Sequence, residues 1–148
     1  MSPSCITYHK EVSKLQDLET QLRNDLSKIG LDVEFTLSLR PYSKSYFGRY
    51  DITTSTIIIY VQKTPTGDMY SYEELLLTTI HEAIHCKQWH DPKYKRVRGV
   101  MHDLEFKTLY ALYSNRAKAR ILLREVTSYD NFYQTCGRKS YDFPCRCH

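Results

Sequence analysis

Apolar residues recur along the chain first at the spacing of a helix and then at the spacing of strands. From about Lys10 to Ile29 they lie three and four residues apart, and Gly30 is placed to end the helix. Between Val33 and Leu39 they alternate with polar residues, which is the period of a strand with one buried face. A second strand is expected around Gly48 to Ile52, and the β-branched run within Ser55 to Lys63 predicts a third strand that is covered on both faces.

Two further helices are expected after these strands. Ser71 to Glu74 has the S-x-x-E form of a capping box, and Asp91-Pro92 cannot easily continue a helix, so one helix is predicted from 72 to 90. A second long helix is predicted to begin near His102. Its apolar face consists of Phe106, Leu109, Tyr110, Tyr113 and Ala117. A helix, three strands and two helices predict an α+β fold in a single domain, residues 1–148, with 126–148 as an aromatic, cysteine-bearing tail.

The helix predicted from 72 to 90 contains His81, Glu82 and His85 in H-E-x-x-H spacing. Residues four apart share one helix face, so the two imidazoles can bind one metal ion together. Glu82 lies about 100° round the helix from His81, beside the metal, where its carboxylate can take a proton from water. The same spacing arises by chance in unrelated helices, but the cap and the apolar spacers here favour a metal site.

A catalytic zinc usually has three protein ligands, so one more is needed. Four residues are candidates: His90, Asp91, His102 and Glu105. Asp91 would need a glycine in place of Gln88 to turn the chain, and His90 points to another side of the helix. His102, at the start of the next helix, can reach back to the metal, whereas Glu105 lies one turn further on. We therefore favour His102 over Glu105 as the third ligand.

The segment HEAIHCKQW, followed after about a dozen residues by HDLEF, resembles the SprT-like zinc metalloproteases, whose signature is HExxHxxxW and then HGxxF or HGxxW. The matching positions are His81, Glu82, His85, Trp89, His102 and Phe106. The resemblance runs from about Tyr50 to Leu123. It implies a zincin-like domain of minigluzincin type, with the three histidines as zinc ligands and Glu82 as catalytic base. Asp103 stands where the family usually has Gly, and it can either cap the following helix or accept a hydrogen bond from a ligand imidazole.

The resemblance implies a zinc-dependent endopeptidase in which water activated by zinc and Glu82 attacks a peptide carbonyl. It also implies that a protein substrate pairs with the open edge of the strand from Thr56 to Val61. By analogy with relatives that act on proteins crosslinked to DNA, the substrates include DNA-associated proteins. Candidates for stabilising the oxyanion lie in the loop before His102 and are Tyr94, Lys95, Arg96 and Arg98.

The net charge is +4, and the basic residues form two clusters. One lies between Lys93 and Arg98, and the other between Arg116 and Arg124 on the last helix. These clusters can face DNA or can simply be solvated. Two alternative functions therefore stay open, a nucleic-acid-binding protein with a structural or silent metal site and a module that holds a peptide without cutting it.

The five cysteines are odd in number and scattered, which is typical of reduced thiols, and Cys86 is expected to pack in the core. Cys136, Cys145, Cys147 and His148 can form a second zinc site, although their spacing is unusual, and the alternative is that the tail aromatics pack on the domain.

No segment approaches the ~20 apolar residues of a membrane span. We expect a monomer without a membrane partner, located in the cytoplasm, or in the nucleus or host cell for a eukaryotic or viral chain.

Overall fold

The computed structural model describes residues 3–95 and 99–135. Within these ranges the chain forms three helices and three strands, in the predicted order and in the α+β class. They are α1 (Pro3–Lys28), β1 (Thr36–Arg40), β2 (Gly48–Asp51), β3 (Thr56–Tyr60), α2 (Tyr72–His90) and α3 (Leu104–Thr135). None of the helices in these ranges is both long and apolar enough to cross a membrane.

β3 is the central strand of the sheet, whose order is β1-β3-β2. It pairs in parallel with β1, where Leu37 lies opposite Ile57, and in antiparallel with β2, where Tyr50 lies opposite Ile57. Both backbone edges of β3 are therefore paired. The prediction that a substrate adds to an open edge of the strand from Thr56 to Val61 is wrong, because a run buried on both faces belongs in the middle of a sheet.

β2 is an edge strand that pairs with β3 on one side only. The Tyr60 N–H donates to the Phe47 carbonyl at 3.1 Å, so the backbone groups of Phe47 point towards β3. Because every second residue of an antiparallel strand points its backbone groups the same way, Gly48 and Tyr50 turn their N–H and C=O groups away from β3. A Cβ on Gly48 would lie 2.9 Å from the Ile58 carbonyl oxygen, so only glycine fits where β2 approaches its neighbours this closely.

The core lies between α2 and the sheet and is closed by the other two helices. α2 and β3 contribute residues that are fully or almost fully buried: Ile57, Ile59, Leu76, Ile80 and Ile84. α1 and α3 contribute Leu22, Leu26, Phe106, Tyr113 and Ala117. Cys86 is also buried, as predicted, and its thiol is free. This core holds α2 rigidly, and the histidines of the motif are carried on that helix.

The ends of the helices follow local sequence signals. Gly30 adopts a φ of 88° just after α1, and its N–H donates to the Ser27 carbonyl at 3.1 Å, which stabilises the helix end. Ser71 and Glu74 form both hydrogen bonds of the predicted capping box at the start of α2. α3 continues to Thr135, beyond the start of the tail predicted at 126. The residues of the suggested second zinc site, Cys136 to His148, lie outside the described residues.

One buried carboxylate, Asp25 of α1, joins three helices. Its side chain is 1% exposed, and it accepts hydrogen bonds from Tyr72 of α2 and from Arg120 and Arg124 of α3, the arginines at 2.8 and 2.9 Å. Burial alone would raise the pKa of Asp25, but these three hydrogen bonds outweigh it and hold the pKa below its ordinary value. We refer to these four residues as the Asp25 cluster.

Candidate metal centre

Three histidines from two elements converge on one point. His81 and His85 project from neighbouring turns of α2, and His102 lies in the loop just before α3. Their Nε2 atoms form a triangle, with 3.3 Å between His81 and His85, 3.2 Å between His85 and His102, and 3.2 Å between His102 and His81. They lie close enough to bind one metal ion together. The structure brings His102 to the two motif histidines, and the binding of a metal ion by the three stays a prediction.

The size of this triangle fits a tetrahedral ion. Zn–N bonds of about 2.0–2.1 Å place two ligand nitrogens about 3.3–3.4 Å apart in tetrahedral geometry. The observed sides of 3.2 and 3.3 Å match that separation closely. Three imidazoles at these separations can therefore bind one metal ion together.

Hydrogen bonding cannot account for the triangle. Each neutral imidazole Nε2 carries either one hydrogen or one lone pair, so at least two of the three atoms are of the same kind. A contact between two lone pairs, or between two N–H groups, is repulsive. A cation that accepts all three lone pairs removes this repulsion. Burial and the neighbouring His102 also lower the pKa of His81, which favours the neutral form that binds a metal.

Phe106 of α3 supports all three rings from one side. Its ring centroid lies 4.8 Å from that of His81, 4.6 Å from that of His85 and 4.7 Å from that of His102. The ring is only 3% exposed, so it is fixed by the core. Phe106 therefore limits the rotation of each imidazole and holds the three nitrogen atoms towards their common point.

Asp103, which follows His102 directly, caps α3. Its Oδ1 accepts the Phe106 N–H at 2.8 Å, and its Oδ2 accepts the Tyr94 hydroxyl. The buried Gln88 amide also reaches Oδ1 at 3.4 Å. Of the two roles suggested for Asp103, the structure shows the helix cap. The cap and the bond to Tyr94 fix both sides of the loop that carries His102.

The other three ligand candidates lie elsewhere. His90 contacts the Tyr50 hydroxyl through Nε2 at 2.9 Å and is not one of the three converging histidines. Asp91 caps the end of α2 and accepts the Lys93 N–H at 2.9 Å. Glu105 accepts the Gln88 amide at 3.3 Å. Each of the three has a structural role, so His102 is the one candidate that joins the motif histidines.

Glu82, which follows His81 in α2, carries a buried carboxyl group. It is 7% exposed, and within the described residues no hydrogen bond or charge offsets the effect of burial on its pKa. Burial raises the pKa of Glu82 to about 7. A buried carboxyl group with a strongly shifted pKa at the wall of a cleft is typical of a functional site.

A cleft of about 710 Å³ is lined by the three histidines and Glu82. One wall comes from β2 and its flanking residues, and the other comes from the loop before His102. A smaller pocket of about 270 Å³ shares Tyr46, Gly48, His81 and Glu82 with the cleft. Sequence reasoning missed several lining residues, because the pairing of β2 cannot be read from local patterns. They are Tyr46, Arg49, Tyr50, Ile52, Val100 and Met101.

Some of the predicted oxyanion donors and basic residues form hydrogen bonds within the protein, and others lie outside the described residues. Tyr94 lines the cleft, but its hydroxyl donates to Asp103, and Arg96 and Arg98 lie outside the described residues. On α3, Arg120 and Arg124 bind Asp25, and Arg116 donates to the Ile29 carbonyl at 2.9 Å. These arginines stabilise the fold through bonds to α1 or the residue that follows it. Binding of DNA stays a prediction, as do the oligomeric state and the compartment.

Comparison of the chain with protein-family models, with curated proteins and with solved structures finds no significant match. The similarity to SprT-like metalloproteases therefore rests on the residues of the two motifs and on their spacing.

Proposed function

We propose that the protein is a zinc-dependent endopeptidase of SprT-like type with a zincin-like domain. The observation that carries this proposal is the triangle of Nε2 atoms from His81, His85 and His102, with the buried Glu82 beside it. A structural zinc site normally has four protein ligands, whereas a catalytic site keeps one position for water or substrate. Among the described residues, three ligands and an adjoining cleft fit the catalytic type.

The ligand set suits zinc and hydrolysis. Three neutral imidazoles add no negative charge, so zinc bound there would lower the pKa of water to about 7 and would polarise a peptide carbonyl. Imidazole also suits copper, iron and nickel, but the resemblance to zinc metalloproteases favours zinc.

Glu82 serves as the general base and then as the general acid. Its carboxylate takes a proton from the attacking water and passes it to the nitrogen of the leaving amine. Burial raises the pKa of Glu82 to about 7 in the metal-free protein, and Zn²⁺ bound beside it would favour the carboxylate form that accepts the proton. Its position one residue after His81 places the carboxylate beside the ligands without making it one.

An extended polypeptide fits the open edge of β2. Gly48 and Tyr50 present backbone N–H and C=O groups on the side away from β3, and both residues line the cleft. Main-chain pairing of this kind holds a substrate with little dependence on its sequence. Proteins are therefore the proposed substrate class, and DNA-associated proteins are included by family analogy alone.

Digestion of casein tests the proposal. We expect the zinc-loaded protein to cleave casein, EDTA to stop cleavage and Glu82→Gln to reduce the rate by about 10²–10⁴-fold while zinc stays bound. The matched control is Glu73→Gln, an exposed change on the same helix that should leave the rate unchanged. Equal rates for the wild-type and Glu82→Gln proteins would show that this carboxylate is not the base.

A further inference from the structure

Three large apolar side chains that line the cleft are exposed. Ile52, just after β2, is 42% exposed, and Val100 and Met101, just before His102, are 44% and 74% exposed. All three line the cleft. Exposed apolar side chains that gather in a groove gain free energy when a ligand covers them, so they mark binding surfaces. We refer to these three residues as the apolar rim.

The smaller pocket lies at the opposite end of β2, and polar side chains such as Ser45 and Thr78 contribute to its lining. It is reached past Ser45, Tyr46 and Phe47, which precede β2, and it is also lined by Thr78 and Tyr110. Gly48, His81 and Glu82 border both the cleft and this pocket. The reacting groups therefore lie between the apolar rim and the smaller pocket.

The direction of β2 gives a bound peptide an orientation. β2 runs from Gly48, beside the reacting groups, to Asp51, one residue before Ile52. A peptide that pairs with its free edge does so more stably in the antiparallel direction. Its residues on the N-terminal side of the scissile bond then lie against the C-terminal end of β2, which is followed directly by Ile52 of the apolar rim.

We propose that the apolar rim selects substrates with a large apolar side chain within a few residues on the N-terminal side of the cleaved bond. This inference rests on the proposed function and adds a substrate preference and a direction to it. Val100 and Met101 immediately precede a metal ligand, so they contact the residues nearest the bond. Ile52 contacts a residue further towards the substrate N-terminus.

The preference can be measured by sequencing the products of a random peptide mixture digested with the zinc-loaded protein. We expect Leu, Ile, Met or Phe to be enriched on the N-terminal side of the cut. Met101→Glu and Ile52→Glu should each lose this enrichment and gain Lys or Arg there, because the new carboxylate attracts a cation. Met69→Glu is the matched control, since Met69 is 51% exposed and is not among the residues that line the cleft.

A binding measurement separates this inference from the proposed function. The zinc-loaded Glu82→Gln protein should bind a fluorescent ten-residue peptide with two central Leu residues about tenfold more tightly than the same peptide with Ser. Ile52→Glu in that background should remove the difference. If this result is obtained and the wild-type protein cuts nothing, the apolar rim stands and the peptidase function fails.

Three outcomes would overturn the inference. The first is cleavage without an apolar preference, and the second is an apolar preference on the C-terminal side of the bond. The third is equal binding of the Leu and Ser peptides. Measurement of the zinc content of each variant shows whether a change near His102 has disturbed the metal site instead.

Discussion

Two buried carboxylates in this protein have opposite surroundings. Asp25 is 1% exposed and is bonded to one tyrosine and two arginines, whereas Glu82 is 7% exposed and has no such partner among the described residues. The pKa of Asp25 lies below its ordinary value, and burial raises that of Glu82 to about 7. Hydrogen-bond donors keep the buried carboxylate of Asp25 charged, whereas burial without such donors favours the protonated form of Glu82.

The comparison also separates the histidines of the chain by role. His90 contacts a tyrosine hydroxyl, as a structural histidine does, while His81, His85 and His102 direct their Nε2 atoms at one another. Glu82 and the three histidines all line one cleft. Titratable groups gathered in a cleft are typical of a functional site.

The largest effect on stability is expected from Asp25→Ala. The change leaves Arg120 and Arg124 without their buried partner, and we expect the free energy of unfolding to fall by about 3 kcal/mol. The loss is not larger because water can still solvate both partly exposed arginines. Urea denaturation measures it. Glu19→Ala removes the exposed ion pair with Arg23 and serves as control, with an expected loss below about 0.5 kcal/mol. Similar losses for the two variants would mean that the Asp25 cluster is not a structural anchor.

Acid should weaken the Asp25 cluster. Because the pKa of Asp25 is lower in the folded than in the unfolded chain, its contribution is fully present above about pH 4 and is lost as the pH falls through the folded-state pKa. The urea midpoint of the wild-type protein should therefore drop more steeply below about pH 4 than that of Asp25→Asn, which lacks the titrating group. Parallel curves for the two proteins would contradict the assignment.

The smallest effect is expected from Glu82→Gln in the metal-free protein. Because the Glu82 carboxylate has no partner among the described residues, its loss should leave the free energy of unfolding unchanged or raise it by up to about 1 kcal/mol. Urea denaturation in EDTA, with Glu73→Gln as the exposed control, measures the difference. A loss of more than about 1 kcal/mol would mean that Glu82 has a stabilising role, and the contrast with Asp25 would be lost.

Local features of the fold could be predicted from the sequence, and long-range pairing could not. The bounds of α2 follow from Ser71, Glu74 and Asp91, which act on the helix they adjoin. The order of the strands depends on contacts between distant segments, so the central place of β3 was missed. Gly48 gave a hint, because a glycine within a strand often marks a close approach of backbones.

The sequence predicts the histidines of the candidate metal centre better than it predicts the residues that line the cleft. His81 and His85 share a helix face by spacing alone, and the place of His102 before α3 favours it as their partner. The family resemblance pointed to the same residue. The walls of the cleft come from β2 and the loop before His102, and no local pattern brings these two segments together. Residues such as Ile52 and Met101 therefore carried no signal in the sequence.

The most direct test is the zinc content of the purified protein and of two matched histidine variants, measured by mass spectrometry of the metal. We expect one zinc per chain in the wild-type protein and in His90→Ala, and strongly reduced zinc in His102→Ala. Absence of zinc from the wild-type protein after exposure to excess metal would contradict the site. Full zinc content in His102→Ala would equally show that His102 is not the third ligand.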